Sequence, residues 1–391
     1  MIAAGLLLDE LATRSVAEVT GVPCSFLTPL INKVASDPSV RYLPATHEGE
    51  AVAIATGAWL AGATTCVIAQ NSGLGNMVNP LTSLNHPCRI PVPLIVTWRG
   101  EPGRPDEPQH ELLGAVTADL LTMVGVSHSL LPPDPEGLGP VLDQGWDAMR
   151  GRELPHAFVV RKGTIAPEEL SEPRPRPSPH SRVVRLGDPG RGQAPCRIEA
   201  LESLLGAIDD QTAVISTTGK CSRELFTLAD RPQHFYLVGA MGSASAVGLG
   251  VARHSARRVV VVDGDGAALM RLGTLAAVGA QPPLALTHVL LDNQVHDSTG
   301  GQRSLAAGTD FPAVAAACGY PRVFDCADLA GLRDALREAA NEPGPCFVYA
   351  RIQPGSLEPL GRPTLHPSEV ARRFRSFVTR SDRAEATPRP G

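Results

Sequence analysis

An excess of positive charge is missing from this sequence: its 391 residues carry a formal net charge of −5 at neutral pH. Nucleic-acid binding needs a basic face or stripe. The arginines cluster only near 174–192 and 372–383, in polar segments that read as solvated. No uninterrupted apolar run approaches the roughly 18–20 residues that a membrane-spanning helix requires. The opening MIAAGLLLDELATRSVAEVTGVP has no basic leader and carries acids by residue 9, so it reads as an amphipathic helix rather than a signal peptide. A cytoplasmic location is expected. Eight cysteines occur and no two are spaced as CxxC, which argues against a zinc site and for free, buried thiols in a reducing compartment. Aromatic residues are scarce too, at 4 %, yet 43 % hydrophobic against 19 % charged is a globular balance with a large core.

The length suits two ordinary domains. Residues 171–195, SEPRPRPSPHSRVVRLGDPGRGQAP, are rich in Pro, Arg, Ser and Gly and offer little to a core. They are expected to be a linker between a first domain over 1–170 and a second over 196–378, with a flexible tail at 379–391. Each half alternates short β-branched runs with helical patterns. The runs include TTCVIAQ, PVPLIVTW and HAFVVR in the first half and TAVISTT, FYLVG, RRVVVVDGDG, LTHVLLDN and PCFVYAR in the second. Continuous apolar strands alternating with helices predict an α/β fold of two doubly wound, parallel-sheet domains. In such sheets ligands bind beyond the carboxyl ends of the strands.

Two strand ends stand out. RRVVVVDGDG stops at Asp263, and Gly264 and Gly266 allow a tight turn and close approach of backbone to a ligand. A helix is expected over 267–278, its first amides favouring an anion. The next run, LTHVLLDN, ends at Asn293. If the two strands are neighbours, Asp265 and Asn293 can share one hard cation, and a carboxylate, an amide oxygen and a nearby carbonyl suit Mg²⁺. A cation beside a helix N-terminus makes a diphosphate site. TTGKCS does not offer a P-loop instead, because position 214, five before Gly219, is Val. GLGN at 73–76 does not supply a dinucleotide-binding fingerprint either.

GDG followed by Asn at the next strand end, 28 residues after Asp265, resembles the signature of thiamine-diphosphate enzymes. The resemblance implies the fold of that group, with a pyrimidine-binding and a diphosphate-binding domain and no middle domain. It implies thiamine diphosphate and Mg²⁺ as cofactors, with the metal on Asp265, Asn293 and the carbonyl of Val295. In HEGEAVAIATGAWLAG it implies Glu48 as the carboxyl that activates the aminopyrimidine, favoured over Glu50. In VGAMGSASAVGLG it implies Met241 as the wedge beneath the cofactor and Gly239 as a carbonyl acceptor. Thr217 and Thr218 in STTGK, with Gly264, Gly266, Ala267 and Asn293, would hold the cofactor.

Longer segments, among them QNSGLGNMVNPLTSL, WRGEPGRPDEPQHELLG, TTGKCSRELF and LDNQVHDSTGGQ, resemble the phosphonopyruvate decarboxylase family. The implied reaction is 3-phosphonopyruvate to phosphonoacetaldehyde and CO₂, in phosphonate biosynthesis. Asn71, Ser72, Arg99, Lys220, Arg223, Asp297, Ser298 and Thr299 are candidates for holding the substrate, with His296 and His110 for proton transfer. Asp106 and Glu107 are expected to orient the loop they share with Arg99. Members of the group build the cofactor site between two subunits, so a homodimer or higher homo-oligomer is implied. Sulfopyruvate decarboxylase, or another thiamine-diphosphate-dependent keto-acid decarboxylase or carboligase, is the alternative. A single fused chain is taken to favour the phosphonate enzyme, since the sulfonate enzymes usually split the halves. The one departure is Asp292-Asn293 where the family has Asn-Asn, and the ligand is expected to be the second residue.

Overall fold

A computed structural model of the chain describes residues 1–171, 181–188, 194–281 and 283–380. Its first half forms a six-stranded sheet from β1 (Val16–Gly21), β2 (Tyr42–Pro44), β3 (Thr64–Ala69), β4 (Pro93–Thr97), β5 (Ser127–Leu130) and β6 (His156–Val160). Its order is β2-β1-β3-β4-β6-β5, and every pairing is parallel. The second sheet uses β7 (Val183–Leu186), β8 (Ala213–Ser216), β9 (His234–Tyr236), β10 (Val259–Gly264) and β11 (Leu286–Asp292). Past a small antiparallel ribbon of β12 (Val295–His296) and β13 (Gln302–Arg303), it is completed by β14 (Arg322–Cys326) and β15 (Cys346–Arg351). The order is β7-β14-β15-β11-β10-β8-β9, again all parallel. Both faces of these strands are covered. That is why β4, β6, β8 and β11 are buried at every position and read as unbroken apolar runs rather than alternating ones.

Three expectations need correcting. The first 23 residues are not one helix: the helix Ala4–Thr13 ends, Ser15 turns at φ 64°, and Val16–Gly21 becomes β1. Val16, Val19 and Thr20 are β-branched, and the strand lies between β2 and β3, so sheet pairing overrides the local helical pattern. The helix expected over 267–278 is two short ones, Asp265–Met270 and Thr274–Gly279. They break at Arg271, whose side chain reaches toward His47 of the first half. The stretch 171–195 also contains β7, which pairs with β14 as the edge of the second sheet. Residues 172–180 and 189–193 of that stretch, and 381–391 of the expected tail, lie outside the described residues. All eight cysteines are free, none of them fully exposed. No helix among the described residues is long and apolar enough to cross a membrane.

The halves meet through two helices, Glu48–Leu60 and Ala244–His254. The contact is made by backbone. A Cβ on Gly57 would lie 2.0 Å from the Val247 carbonyl oxygen, and one on Gly250 would lie 2.1 Å from that of Ile54. Polar clamps flank it: the fully buried carboxylate of Glu18 on β1 pairs with Arg253 and with His254 Nε2 at 3.2 Å. Burial works against the charged form of Glu18, but hydrogen bonds from His254 and Arg253 outweigh it and hold its pKa below the ordinary value. The C-terminal helix Pro367–Thr379 crosses back onto the first half, with the Arg375 guanidinium 4.4 Å from the Trp59 ring centre. Gly57→Ala should therefore cost about 1–3 kcal/mol by overpacking. Gly206→Ala, in a helix where an added Cβ meets nothing, should stabilise by up to about 1 kcal/mol. Thermal or urea unfolding of the two variants measures both.

Candidate active site

The carboxyl ends of β8, β10 and β11 open onto one cavity of about 250 Å³. Its position is set by topology. After β8 the chain runs outward to β9, then crosses back to β10 on the other side, so the two connections leave a crevice between them. β10 and β11 pair in register from Val259↔Leu286 to Gly264↔Leu291, which carries the segments after Gly264 and Asp292 to the same edge. Thr217, Thr218, Lys220, Met241, Gly264, Asp265, Gly266, Ala267, Asn293, Val295, His296, Asp297, Ser298 and Thr299 all line this cavity, so most of the expected constellation is assembled in one place. Gly239 does not line it; three residues past β9 it packs against Ser83, whose Cβ would lie 2.6 Å from a Cβ on the glycine.

The acids divide their work. Asp263 is fully buried. Its Oδ1 accepts from the amide of Gly264 at 2.9 Å, and its Oδ2 lies 3.4 Å from His288 Nε2. Asp292 is also fully buried and accepts from Tyr349 Oη at 2.7 Å and the Gln294 amide at 2.9 Å. Asn293, and not Asp292, lines the cavity. Asp265 accepts from the Ser304 hydroxyl and forms no ion pair among the described residues. Burial pushes its carboxyl above the ordinary range, the Ser304 hydrogen bond pulls it partly back, and the charge of Asp292 adds to the rise. A cation on Asp265 would remove that penalty.

Asn293 is oriented by a relay. Its Nδ2 donates to Asp297 Oδ2 at 2.6 Å, which turns Oδ1 the other way, toward the Val295 amide at 3.2 Å. Asp297 is held in turn by Arg197, whose guanidinium donates to it at 2.6 Å, to Glu224 at 3.2 Å and to the Gly355 carbonyl at 2.9 Å. Gln294 adopts φ 61°, which sets the Asn293 side chain and the Val295 backbone on the same cavity wall. Ala240, at φ 49°, turns the chain in the same way just before Met241. Met241 and His296 meet at Gly266: a Cβ there would lie 2.7 Å from His296 Cε1 and 3.5 Å from Met241 Cε.

The donor set fits a diphosphate with a hard metal. Carboxylate, amide oxygen and backbone carbonyl are oxygen ligands of the kind Mg²⁺ takes. The Thr217 hydroxyl is buried with no hydrogen-bond partner among the described residues, and an orphan donor of that kind is costly unless a ligand takes it up. A Cβ on Gly264 would meet nothing within 4 Å, so the turn leaves room above its backbone. The helix Lys220–Leu228 starts at Gly219, φ 92°, with no side-chain cap on its first amides.

Other expected residues lie elsewhere. Glu48 begins its helix half-buried, accepting from Asn76 Nδ2 at 2.7 Å and packed against Gly73; it does not line the cavity of its own chain. Glu50 is fully buried and accepts from the amide and hydroxyl of Thr46, at 2.7 and 2.6 Å, so it closes the turn before the helix. His110 is buried in the first half, its carbonyl against Gly100. Asn71 commits its amide to Arg99 and Thr117, while Ser72 is exposed and accepts from Gln70. Arg99 donates to both oxygens of Asp106 and to Ser25 and stacks on Phe26, and Asp106 does orient it. Arg223 donates to the carbonyls of Leu360 and Gly361, at 2.8 and 2.9 Å. Asn71, Arg99, Arg223 and Asp297 are thus held by protein partners.

Arg197 and Ser304 were not expected. Ser304 carries no signal in the sequence. Arg197 does: it precedes Ala200, Leu201 and Leu204 by three, four and seven residues, on the buried stripe of its helix, where a cation needs partners. Breaking such a buried pair from one side costs about 3–5 kcal/mol, so Arg197→Met should lower the unfolding midpoint clearly. Glu199→Gln on the exposed turn should change it little.

Two family matches cover most of this architecture: residues 1–120 match "Thiamine pyrophosphate enzyme, N-terminal TPP binding domain" and residues 217–350 match "Thiamine pyrophosphate enzyme, C-terminal TPP binding domain". The fold is shared with benzoylformate decarboxylase from Polynucleobacter necessarius, at TM-score 0.69 and 14 % identity, over 91 % of this chain and 100 % of that one. A sulfopyruvate decarboxylase of Methanosarcina acetivorans is 30 % identical over 91 % of this chain and 92 % of its own length. That relative joins both halves in one chain, so fusion of the halves does not separate the sulfonate from the phosphonate enzymes. The phosphonopyruvate decarboxylase of Streptomyces viridochromogenes is 57 % identical over 389 residues, 99 % of this chain and 98 % of the relative. The chain belongs to the phosphonopyruvate decarboxylase family, carboxy-lyases that depend on thiamine diphosphate.

Proposed function

We propose that this chain decarboxylates 3-phosphonopyruvate to phosphonoacetaldehyde and CO₂, with Mg²⁺ anchoring the diphosphate of its cofactor, as a step in phosphonate biosynthesis. The observation that carries the substrate is the 57 % identity to a phosphonopyruvate decarboxylase over nearly the whole chain, against 30 % to the sulfopyruvate enzyme. The oxygen donors of Asp265, Asn293 and Val295 support the metal, and the orphan hydroxyl of Thr217 supports the diphosphate.

In this reading Asp265, Asn293 and the Val295 carbonyl hold Mg²⁺. Thr217, Thr218, Gly264, Gly266 and Ala267 hold the diphosphate, and Met241 shapes the floor, with the Gly239 carbonyl as an acceptor at its edge. The bound cofactor supplies the electron sink for the pair released as CO₂ leaves. The protein's own part is to orient, to exclude water and to move protons. His296, beside Gly266 in the cavity wall, carries the proton. Glu48 activates the cofactor. Because it does not line the cavity of its own chain, it does so from a second copy, and the working unit is a homodimer or larger. His110, also in the first half, joins only across the same contact.

Glu48→Gln should still bind thiamine diphosphate with Mg²⁺, followed by quenching of tryptophan fluorescence, while turnover falls by about 10²-fold or more. Full activity in that variant would remove Glu48 from the mechanism. Asp265→Ala should weaken Mg²⁺-dependent cofactor binding; an unchanged affinity would sink the metal site. Parallel assays with 3-phosphonopyruvate, sulfopyruvate and pyruvate decide the substrate, since a preference for either of the others discards the phosphonate.

A further inference from the structure

A second cavity of about 510 Å³ adjoins the first and shares Thr218, Gly219, Lys220 and Ser298 with it. Its charge is one-sided. Lys220, Arg223 and Arg362 line it, and no carboxylate does. Arg223 is committed to two backbone carbonyls. Arg362 forms no hydrogen bond or ion pair among the described residues, and Lys220 Nζ holds only the Ser356 hydroxyl, at 3.0 Å. Two cations thus face a common space with capacity left for an anion.

The position of Arg362 is not an accident of an unstructured tail. The segment 355–361 just before it is fastened at five points. The Gly355 amide donates to Asp297 at 3.2 Å, and Ser356 receives Lys220. The Leu357 amide donates to Glu224 at 3.1 Å. Arg223 grips the carbonyls of Leu360 and Gly361, and the Gly361 amide donates to Thr227 at 3.0 Å. Lys220, Arg223, Glu224 and Thr227 all sit on the helix Lys220–Leu228, whose uncapped N-terminus faces the same region. The acid of the segment, Glu358, is not part of the cavity wall. This fastening holds a guanidinium without a partner among the described residues over a cationic pocket at the edge of the cofactor cavity.

We propose that this second cavity is the subsite for the distal, doubly charged phosphonate of the substrate, with Arg362 and Lys220 as its cationic ligands and the Ser298 hydroxyl as a further donor. Arg223 is then a positioning residue that holds the segment carrying Arg362. The chemistry matches: a phosphonate presents three acceptor oxygens, and a guanidinium offers paired N–H donors in a fixed fork. A keto acid with a methyl group there would leave the cavity unfilled and its cations unpaired, so the subsite also supplies selection against pyruvate. The proposal rests on the keto-acid reading above and adds where the far end of that substrate is held.

The test uses the full chain loaded with thiamine diphosphate and Mg²⁺, and compares Arg362→Met and Arg362→Lys with the unmodified protein. Arg362→Met should raise KM for 3-phosphonopyruvate about tenfold or more, as loss of a charged hydrogen bond implies. Its cofactor affinity and melting temperature should hold, and Arg362→Lys should recover part of the loss. Calorimetric titration with phosphonoacetate, a phosphonate with no keto group to react, should give binding to the unmodified protein that weakens by a similar factor in Arg362→Met. A KM and a phosphonoacetate affinity within twofold of the unmodified protein would overturn the subsite, as would a loss confined to cofactor binding. If the unmodified protein does not turn over 3-phosphonopyruvate, the substrate reading fails. The phosphonoacetate titration then decides the subsite by itself.

Discussion

Parallel pairing of β10 with β11 is the constraint on which the site depends. Parallel neighbours finish at the same edge of a sheet, so residues 28 positions apart arrive side by side without any direct contact having to bring them there. The cost is three carboxylates, Asp263, Asp265 and Asp292, buried close to one another. Asp292 is satisfied by Tyr349 and the Gln294 amide, while Asp263 has the Gly264 amide on one oxygen and His288 Nε2 3.4 Å from the other. Asp265 has a hydroxyl partner and no cation. Burial pushes the Asp265 carboxyl above the ordinary range, a penalty that a cation at this position would relieve.

Around that pair the chain accepts strain where it gains geometry. Ala240 and Gln294 are both non-glycine residues in the left-handed region, each at a cost of roughly 1–2 kcal/mol, and each immediately precedes a cavity residue, Met241 and Val295. The strain persists because the surroundings over-determine it. Asn293 is held through Asp297 by Arg197, and Arg197 ties the same point to Glu224 and to the segment that leads to Arg362. One buried guanidinium therefore links the cavity wall to the C-terminal segment, so a disturbance of either is felt by the other.

The contact between the halves obeys a different rule. Helices with glycine at the crossing approach until backbone touches backbone, which leaves no slack for the halves to slide. Within the chain this brings Arg271, from the break after the GDG turn, against His47 and Gly49 at the start of the Glu48 helix. Burial lowers the Arg271 pKa, offset in part by the charge of Glu50. Glu48 itself faces Asn76 and Gly73, on its own domain.

Short-range regularities in the sequence carried the fold class and the strand ends that matter: unbroken apolar runs mark buried parallel strands, and glycines with oxygen-bearing side chains mark the ligand-facing turns at their ends. Thr217, Thr218, Met241 and Val295 came instead from the resemblance to thiamine-diphosphate enzymes, and they do line the cavity. The sequence did not reveal that the first strand begins at Val16, because a short amphipathic stretch looks alike as helix or strand until a sheet offers partners. It also did not separate Glu48 from Glu50 by geometry, or show that Asn71, Arg99, Arg223 and Asp297 are committed to protein partners while Arg362 has none among the described residues. Whether a polar side chain is engaged or available depends on atoms that other parts of the chain bring to it: Arg99 on Ser25, 74 residues away, and Arg223 on Gly361, 138 away. Those meetings are made by packing, and no local pattern in the sequence records them.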